Sequence, residues 1–226
     1  GDSNTRVYGQ AGIKGSLPMW SVNHDIQSEL LNLRGLAHKL VFDADYSFSD
    51  ADKDLNQFPL YHPLDDDSTE HFRRRLKFNT FGLPAGTPVP LRFDDRNYAV
   101  RSGMQNWVTS NGTEIADDLQ LLRLGMRNRW QTKRGLPGQE RIIDWITFDL
   151  EASFFPDAAR DNFGEQLGLV DYDFKWHIGD RFSILADGFV DFFDGGLQQY
   201  TVGGMLDRPE VGNFYLGYRR TDGPFN

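Results

Sequence analysis

The residue types that most often carry chemistry are sparse in this chain, and they lack the spacing of a catalytic or metal site. The chain has no cysteine, and no GxSxG, SxxK or phosphate-loop motif occurs. None of the five histidines stands in an HExxH or HxH arrangement, so their spacing does not support a metal centre; they are His24, His38, His62, His71 and His177. We therefore predict no catalytic residue, no cofactor and no metal ligand, and we expect that the protein is not an enzyme.

A run of three aspartates, Asp65 to Asp67, is a possible ligand set for a hard cation, which prefers carboxylate oxygens. An acidic loop that leads into a short helix explains the run as well. Asp67 and Glu70 have the spacing of a capping box ahead of the segment His71 to Leu76. The loop interpretation is favoured, and the cation site stays open as an alternative.

The strongest chemical signal is charge at alternate positions. Basic residues cluster in one segment, and acidic residues dominate the segments that follow: Arg123, Arg127, Arg129, Lys133 and Arg134, and then Asp149, Glu151, Asp171, Asp173, Asp187 and Asp191. The basic cluster is suited to attract phosphorylated or carboxylated ligands, or else to neutralise carboxylates on neighbouring strands. Neutralisation is favoured because opposite charges across adjacent strands stabilise a sheet.

These charges belong to segments that alternate between polar and apolar residues, which is the period of a β-strand. Alternation occurs at 6–19, 36–49, 119–134, 141–155, 164–178, 181–192 and, more weakly, at 197–206 and 213–220. Most of the connections are tight turns, which favours an antiparallel meander over parallel strands. We predict an all-β, up-and-down meander of about 8–10 long strands in a single domain over residues 1–226, with a long loop excursion over 50–96 that carries a short helix.

The predicted strands are long and aromatic toward their ends, which is typical of a transmembrane β-barrel. A tilted membrane strand needs about 9 to 11 residues, whereas soluble strands average about 5 to 6. The alternation predicts a lipid-facing set that forms aromatic girdles: Phe42, Trp130, Phe148, Phe154, Phe174, Trp176, Phe182 and Phe192. The charged set above, without Arg134, is predicted to face the lumen. Ser183 and His177 fall on the lumen side, which argues against a lipase-type pair at the lipid face.

The composition argues against several other classes of protein. With 33 acidic and 24 basic side chains the formal net charge is -9, so nucleic acid is not an expected partner. An aromatic content of 14% argues against disorder. No segment approaches the ~18 to 20 apolar residues of a membrane-spanning helix. We expect the chain to be a fragment of a larger barrel, and a soluble antiparallel β-sheet binding protein remains the alternative of a different class.

Several segments resemble the barrel portion of LptD, the lipopolysaccharide-assembly outer-membrane family also called the organic solvent tolerance family. The similarity is carried by Ser28–Lys39, Arg127–Gly135, Asp144–Asp149 and Gly212–Arg219. The resemblance implies an outer-membrane location in a Gram-negative-type cell and delivery of lipopolysaccharide to the outer leaflet. It also implies membrane lipid as surroundings, a lipoprotein that plugs the lumen and a periplasmic bridge protein as partners. A porin-like passive channel is the alternative within the membrane class.

Overall fold

The computed structural model describes residues 5–54, 57, 92, 117–136, 138–193, 195–196 and 198–222. Eight strands form one sheet in which each strand pairs antiparallel with the next along the chain. The strands are β1 (Tyr8–Ser28), β2 (Leu33–Ala51), β3 (Leu119–Arg134), β4 (Arg141–Phe154), β5 (Leu167–His177), β6 (Phe182–Val190), β7 (Gln198–Arg208) and β8 (Gly212–Asp222). The predicted all-β meander is confirmed. The sheet is open, since β1 and β8 are its two edges.

The strand bounds follow the alternation to within three residues except at the end of β1. The range of β3 matches its predicted range, whereas β1 continues nine residues beyond Met19 to Ser28. The alternation is lost directly after Met19, because the apolar residues Trp20 and Val22 lie on the same side of β1 as Lys14, and this hides the end of the strand. β6 ends at Val190, two residues before its predicted end, which leaves Asp191 and Phe192 in the following connection.

The register sorts the strand residues onto two faces. Residues that pair directly across strands share a face, and one such row reads Arg127, Asp149, Asp173, Asp187 and Thr201. We call this side the charged face. The opposite side, the apolar face, carries rows such as Leu17, Phe42, Met126, Leu150 and Tyr172.

Burial on the two faces is the reverse of what a water-soluble sheet requires. Large apolar side chains are open to the surroundings, with exposed fractions of 60% for Leu17, 42% for Phe42 and 49% for Leu124. On the charged face, Asp45 and Ser47 are buried. Only six hydrophobic residues of the described part are buried, although a chain of this length normally encloses a large core.

The connections differ in length between the two ends of the sheet. At one end, called the turn end, strands are joined by 29–32, 135–140, 178–181 and 209–211. At the other, called the loop end, they are joined by 52–118, 155–166 and 191–197. The 155–166 connection contains the short helix α1 (Ala158–Asp161), and no helix in the described ranges is long and apolar enough to cross a membrane.

Most of the predicted 50–96 excursion lies outside the described residues. That includes the Asp65 to Asp67 run and the predicted helix that follows it, so both stay predictions. Helix α1 lies instead between β4 and β5, where the alternation analysis predicted no helix. Its four residues are too few to produce a helical period in the sequence.

Candidate functional site

The charged face carries a layer of ion pairs that join neighbouring strands. Arg127 on β3 contacts Asp43 on β2, with 2.8 Å between Nη2 and Oδ2. Arg129 donates two hydrogen bonds to Asp149 on β4, one of them 2.7 Å long from Nη2 to Oδ2, and Arg123 pairs with Glu151 on the same strand. These three arginines therefore neutralise carboxylates across strands, as the favoured interpretation of the basic cluster predicts.

The other two residues of the predicted basic cluster form no ion pair with a described residue of a neighbouring strand, although Nη1 of Arg134 lies 3.5 Å from Oδ1 of Asp180 in the β5–β6 turn. Lys133 is exposed on the charged face and makes no ion pair within the described part of the chain. Arg134 has the register of the apolar face, and its side chain is buried where β3 ends. Its Nη2 donates to the backbone oxygens of His177 and Ile178, at 2.8 and 3.3 Å, so it anchors the β5–β6 turn to β3.

Replacing Arg134 by methionine keeps the bulk of the side chain and removes these donors. We expect the free energy of unfolding to fall by about 2 kcal/mol, because hydrogen bonds from a charged donor are lost at a buried position. Chemical denaturation in detergent micelles followed by circular dichroism measures this change. Arg141→Met, at an exposed residue in register with Arg134, is the control and should change stability by less than about 0.5 kcal/mol. Equal losses for both variants would contradict the anchoring role.

The carboxylates on the neighbouring strands exceed the cations available to them. Asp149, Asp173 and Asp187 stand directly opposite one another on β4, β5 and β6, and Glu151 stands opposite Asp171. Like charges in register are destabilising. Arginines neutralise Asp149 and Glu151, while Asp171, Asp173 and Asp187 make no ion pair with a described residue.

A cleft of about 380 Å³ runs over this charged layer from β1 to β5. Its lining includes Lys14, Asp43, Arg123, Asp149 and Asp173. Six of the predicted lumen-facing residues line the cleft: Arg123, Arg127, Asp149, Glu151, Asp171 and Asp173. Arg129, Lys133 and Asp187 share the face by register, whereas Asp191 lies beyond β6 and is buried.

Seven of the eight predicted lipid-facing aromatics share the apolar face by register: Phe42, Trp130, Phe148, Phe154, Phe174, Trp176 and Phe182. Phe192 lies beyond β6, so the register assigns it no face. Phe148 packs edge-on against Phe174 at 6.5 Å between ring centroids. Near the turn end, the ring of Trp130 stacks on His38 at 4.6 Å, and that of Trp176 meets Trp145 at 6.3 Å.

Two features near the ends of the sheet were not predicted from the sequence. Next to α1, Leu119, Leu121, Phe155 and Ala158 form a small buried cluster. The Asp161 carboxylate accepts a 2.8 Å hydrogen bond from the backbone nitrogen of Gln120, and its hydrogen bonds with Arg160 raise the pKa of that guanidinium. Nearby, burial raises the pKa of Asp117, although Arg6 lies 2.9 Å away and opposes this shift.

Ser183 and His177 meet on the charged face, with 2.8 Å between Oγ and Nδ1. This contact joins β5 to β6. Ser183 is buried, so its hydroxyl is closed to a substrate, and we interpret the pair as structural. Neither residue lies on the apolar face, as predicted.

Lys39 and Lys175 are functional candidates that the sequence analysis did not select. Both lie on the charged face, in one register row with Arg129 and Thr147, and Trp20 on β1 extends the row. We call the row Trp20, Lys39, Arg129, Thr147 and Lys175 the basic row. The available signal was the alternation itself, which places both lysines on the polar side of their strands.

The charged face thus offers a water-accessible cleft with fixed charges. In the described part of the chain no group of three or more acidic or histidine side chains is placed to hold a metal ion. What the arrangement can do chemically is attract, orient and pass charged groups without covalent steps. Comparison of the chain with protein-family models, with curated proteins and with solved structures found no match.

Proposed function

We propose that the chain forms part of the wall of an outer-membrane β-barrel that delivers lipopolysaccharide to the outer leaflet. The observation that carries the membrane part is the reversed burial of the two faces. Leu17, Phe42 and Leu124 are exposed on one face, while charged side chains form ion pairs on the other. The exposed apolar side chains are stable against membrane hydrocarbon, and the charged side chains are stable against water in the barrel lumen.

The height of the apolar face supports this proposal. On β4 the apolar side runs from Ile146 to Phe154. Eight residue steps of about 3.4 Å give about 27 Å along the strand. A strand tilt near 40° reduces this to about 21 Å across the membrane, close to the apolar band of about 25 Å that outer-membrane barrels present.

The open edges indicate that the wall is larger than eight strands. In hydrocarbon every backbone polar group needs a partner within the protein, so unpaired edges at β1 and β8 require further strands or pairing with each other. A closed barrel of eight strands has an interior just wide enough for side chains. The cleft over the charged face favours a wider enclosure.

The unequal connections give the wall an orientation. Bacterial outer-membrane barrels have short turns on the periplasmic side and longer loops outside the cell. We therefore assign the turn end to the periplasm and the loop end, with the 52–118 and 155–166 connections, to the cell surface. Lipopolysaccharide that comes from a periplasmic bridge protein would first meet the turn end.

The assignment of lipopolysaccharide as the transported molecule rests on the resemblance of four segments to the LptD family. The assignment of the lumen-plugging lipoprotein and the bridge protein as partners rests on the same resemblance. A porin-like channel is the second candidate, and the ion-paired cleft favours it, since such a lining also suits the passage of small ions. A soluble β-sheet binding protein is the third and is disfavoured by the exposed apolar face.

Two measurements separate these functions. We expect the chain to sediment with membranes and to stay monodisperse only in detergent or lipid; a stable monomer in plain buffer would overturn both membrane functions. Depletion of the protein in cells should then lower surface lipopolysaccharide, measured by labelling of intact cells. Unchanged labelling together with ion conductance in planar bilayers would instead establish the porin-like channel.

A further inference from the structure

The cations on the charged face of β2 to β5 fall into two groups. The arginines Arg123, Arg127 and Arg129 all pair with carboxylates. The lysines Lys39, Lys133 and Lys175 make no ion pair with any described residue. All three lysines lie in the turn-end half of these strands. On the other strands of this face, Lys14 lies 4.0 Å from Asp45, and Arg219 donates a hydrogen bond to Thr201.

The geometry of the basic row makes its positive charge unfavourable without a ligand. Lys39 stands directly opposite Arg129, and such like-charge pairs destabilise a sheet. Arg129 is neutralised by Asp149, and the nearest other carboxylate toward the turn end, Asp144, accepts a 2.7 Å hydrogen bond from Gln131. Asp173 is two residues from Lys175 on the same strand, yet the two form no ion pair. The row therefore offers no carboxylate to Lys39, while Lys175 lies beside Asp173, which has no ion pair with a described residue, without forming an ion pair with it.

The spacing of the row suits an extended anion. Lys39 and Lys175 lie on β2 and β5, three strand spacings apart, which is about 14 Å at about 4.8 Å each. The hydroxyl of Thr147 lies between them and can donate a hydrogen bond. Two lysines at this distance can contact separate phosphates of one molecule.

Trp20 adds a different kind of contact at the end of the row. It pairs with Lys39, and 73% of its surface is exposed on the charged face. An indole ring on a wet, charged surface offers a flat apolar platform with a polar edge. The apolar side of a sugar ring stacks on such a platform, whereas a simple ion gains nothing from it.

We propose that the basic row binds a phosphorylated saccharide, with phosphates held by Lys39 and Lys175 and a sugar ring stacked on Trp20. The inference rests on the proposed function in one respect, since it assigns the phosphosaccharide to the headgroup of the transported lipid. The row lies in the periplasmic half of the wall, where this headgroup would enter.

The test uses the full chain in detergent micelles and three probes: lipopolysaccharide, phosphatase-treated lipopolysaccharide and glucose 1,6-bisphosphate. For the unmodified chain we expect at least tenfold weaker binding of the phosphatase-treated form. Lys39→Gln with Lys175→Gln should weaken lipopolysaccharide binding at least tenfold and remove the preference for phosphate. Trp20→Ala should weaken both forms of the lipid about equally, because it removes stacking and leaves the cations.

Arg219→Gln is the matched control, because it removes one cation from the loop-end half of the same face, outside the cleft, where Nε of Arg219 donates a 3.1 Å hydrogen bond to Thr201. It should leave binding within about twofold of the unmodified chain. A loss as large as that of the lysine double variant would overturn the basic row as a site, and so would a double variant that retains its phosphate preference.

The outcomes keep this inference separate from the proposed function. Tighter binding of glucose 1,6-bisphosphate than of lipopolysaccharide would support the row as a phosphosaccharide site and overturn the lipid as its source. If membrane association and surface lipopolysaccharide behave as proposed while the double variant binds normally, only the inference about the row fails. A chain that is monomeric in buffer would overturn the membrane wall even where the row binds its probe.

Discussion

Phe148→Asp is expected to impair membrane insertion by about 2 to 4 kcal/mol, or somewhat less because the new charge is a carboxylate, since it places a charge on the apolar face of β4 near mid-strand. It also removes the ring that packs against Phe174. Reversible folding into lipid vesicles across a urea gradient measures the loss as a shift of the transition midpoint.

The neighbouring Thr147 provides the control, because successive residues of a strand point to opposite faces. Thr147 lies on the charged face, in register with Arg129 and Lys175. Thr147→Asp introduces the same carboxylate beside two cations and should change the midpoint only slightly. Equal effects of the two substitutions would show that the assignment of the faces is wrong.

Gly188→Ala is expected to cost about 3 kcal/mol, because the structure leaves no room for a Cβ atom at this position of β6. An added Cβ would collide with the backbone oxygen of Gln199 on β7 and would lie 2.9 Å from the Tyr172 ring. The backbone of a paired strand cannot move aside without loss of its hydrogen bonds. The midpoint of urea unfolding in micelles measures the destabilisation.

Gly15→Ala is the matched substitution in open space, since nothing lies within 4 Å of a Cβ added there on β1. Alanine restricts the unfolded chain more than glycine does, so this variant should be neutral or slightly stabilising. If Gly188→Ala were equally mild, the close packing of β6 against β7 and Tyr172 would be contradicted.

The alternation of polar and apolar residues was sufficient to predict the meander and its two faces, because each strand from β2 to β8 has mainly polar residues on one side and mainly apolar residues on the other. Strand β3 is the clearest case, because its predicted and observed bounds agree. Every second residue from Arg123 to Arg129 is charged or glycine. The alternation fails in β1, where the apolar residues Trp20 and Val22 lie on the charged face, and at α1, whose four residues make little more than one helical turn.

The candidate site was less predictable than the fold, because alternation assigns a face but not a partner. Arg134 follows the charged cluster in sequence, yet its side chain is buried and reaches the β5–β6 turn. Which cations are neutralised depends on register, and Lys39, 90 residues before Arg129, becomes its neighbour only through the pairing of β2 with β3. A single sequence does not reveal pairing across so long a connection.

The two open edges of the sheet are unequal, and this has a consequence for handling the purified chain. An uncovered strand edge is a template on which another copy can add. β1 contains Pro18, which has no backbone N–H to donate and so interrupts such addition, whereas β8 has no proline and exposes Phe214, Leu216 and Tyr218. Growth of aggregates should therefore start at β8, and blocking that edge should do more for solubility than blocking β1.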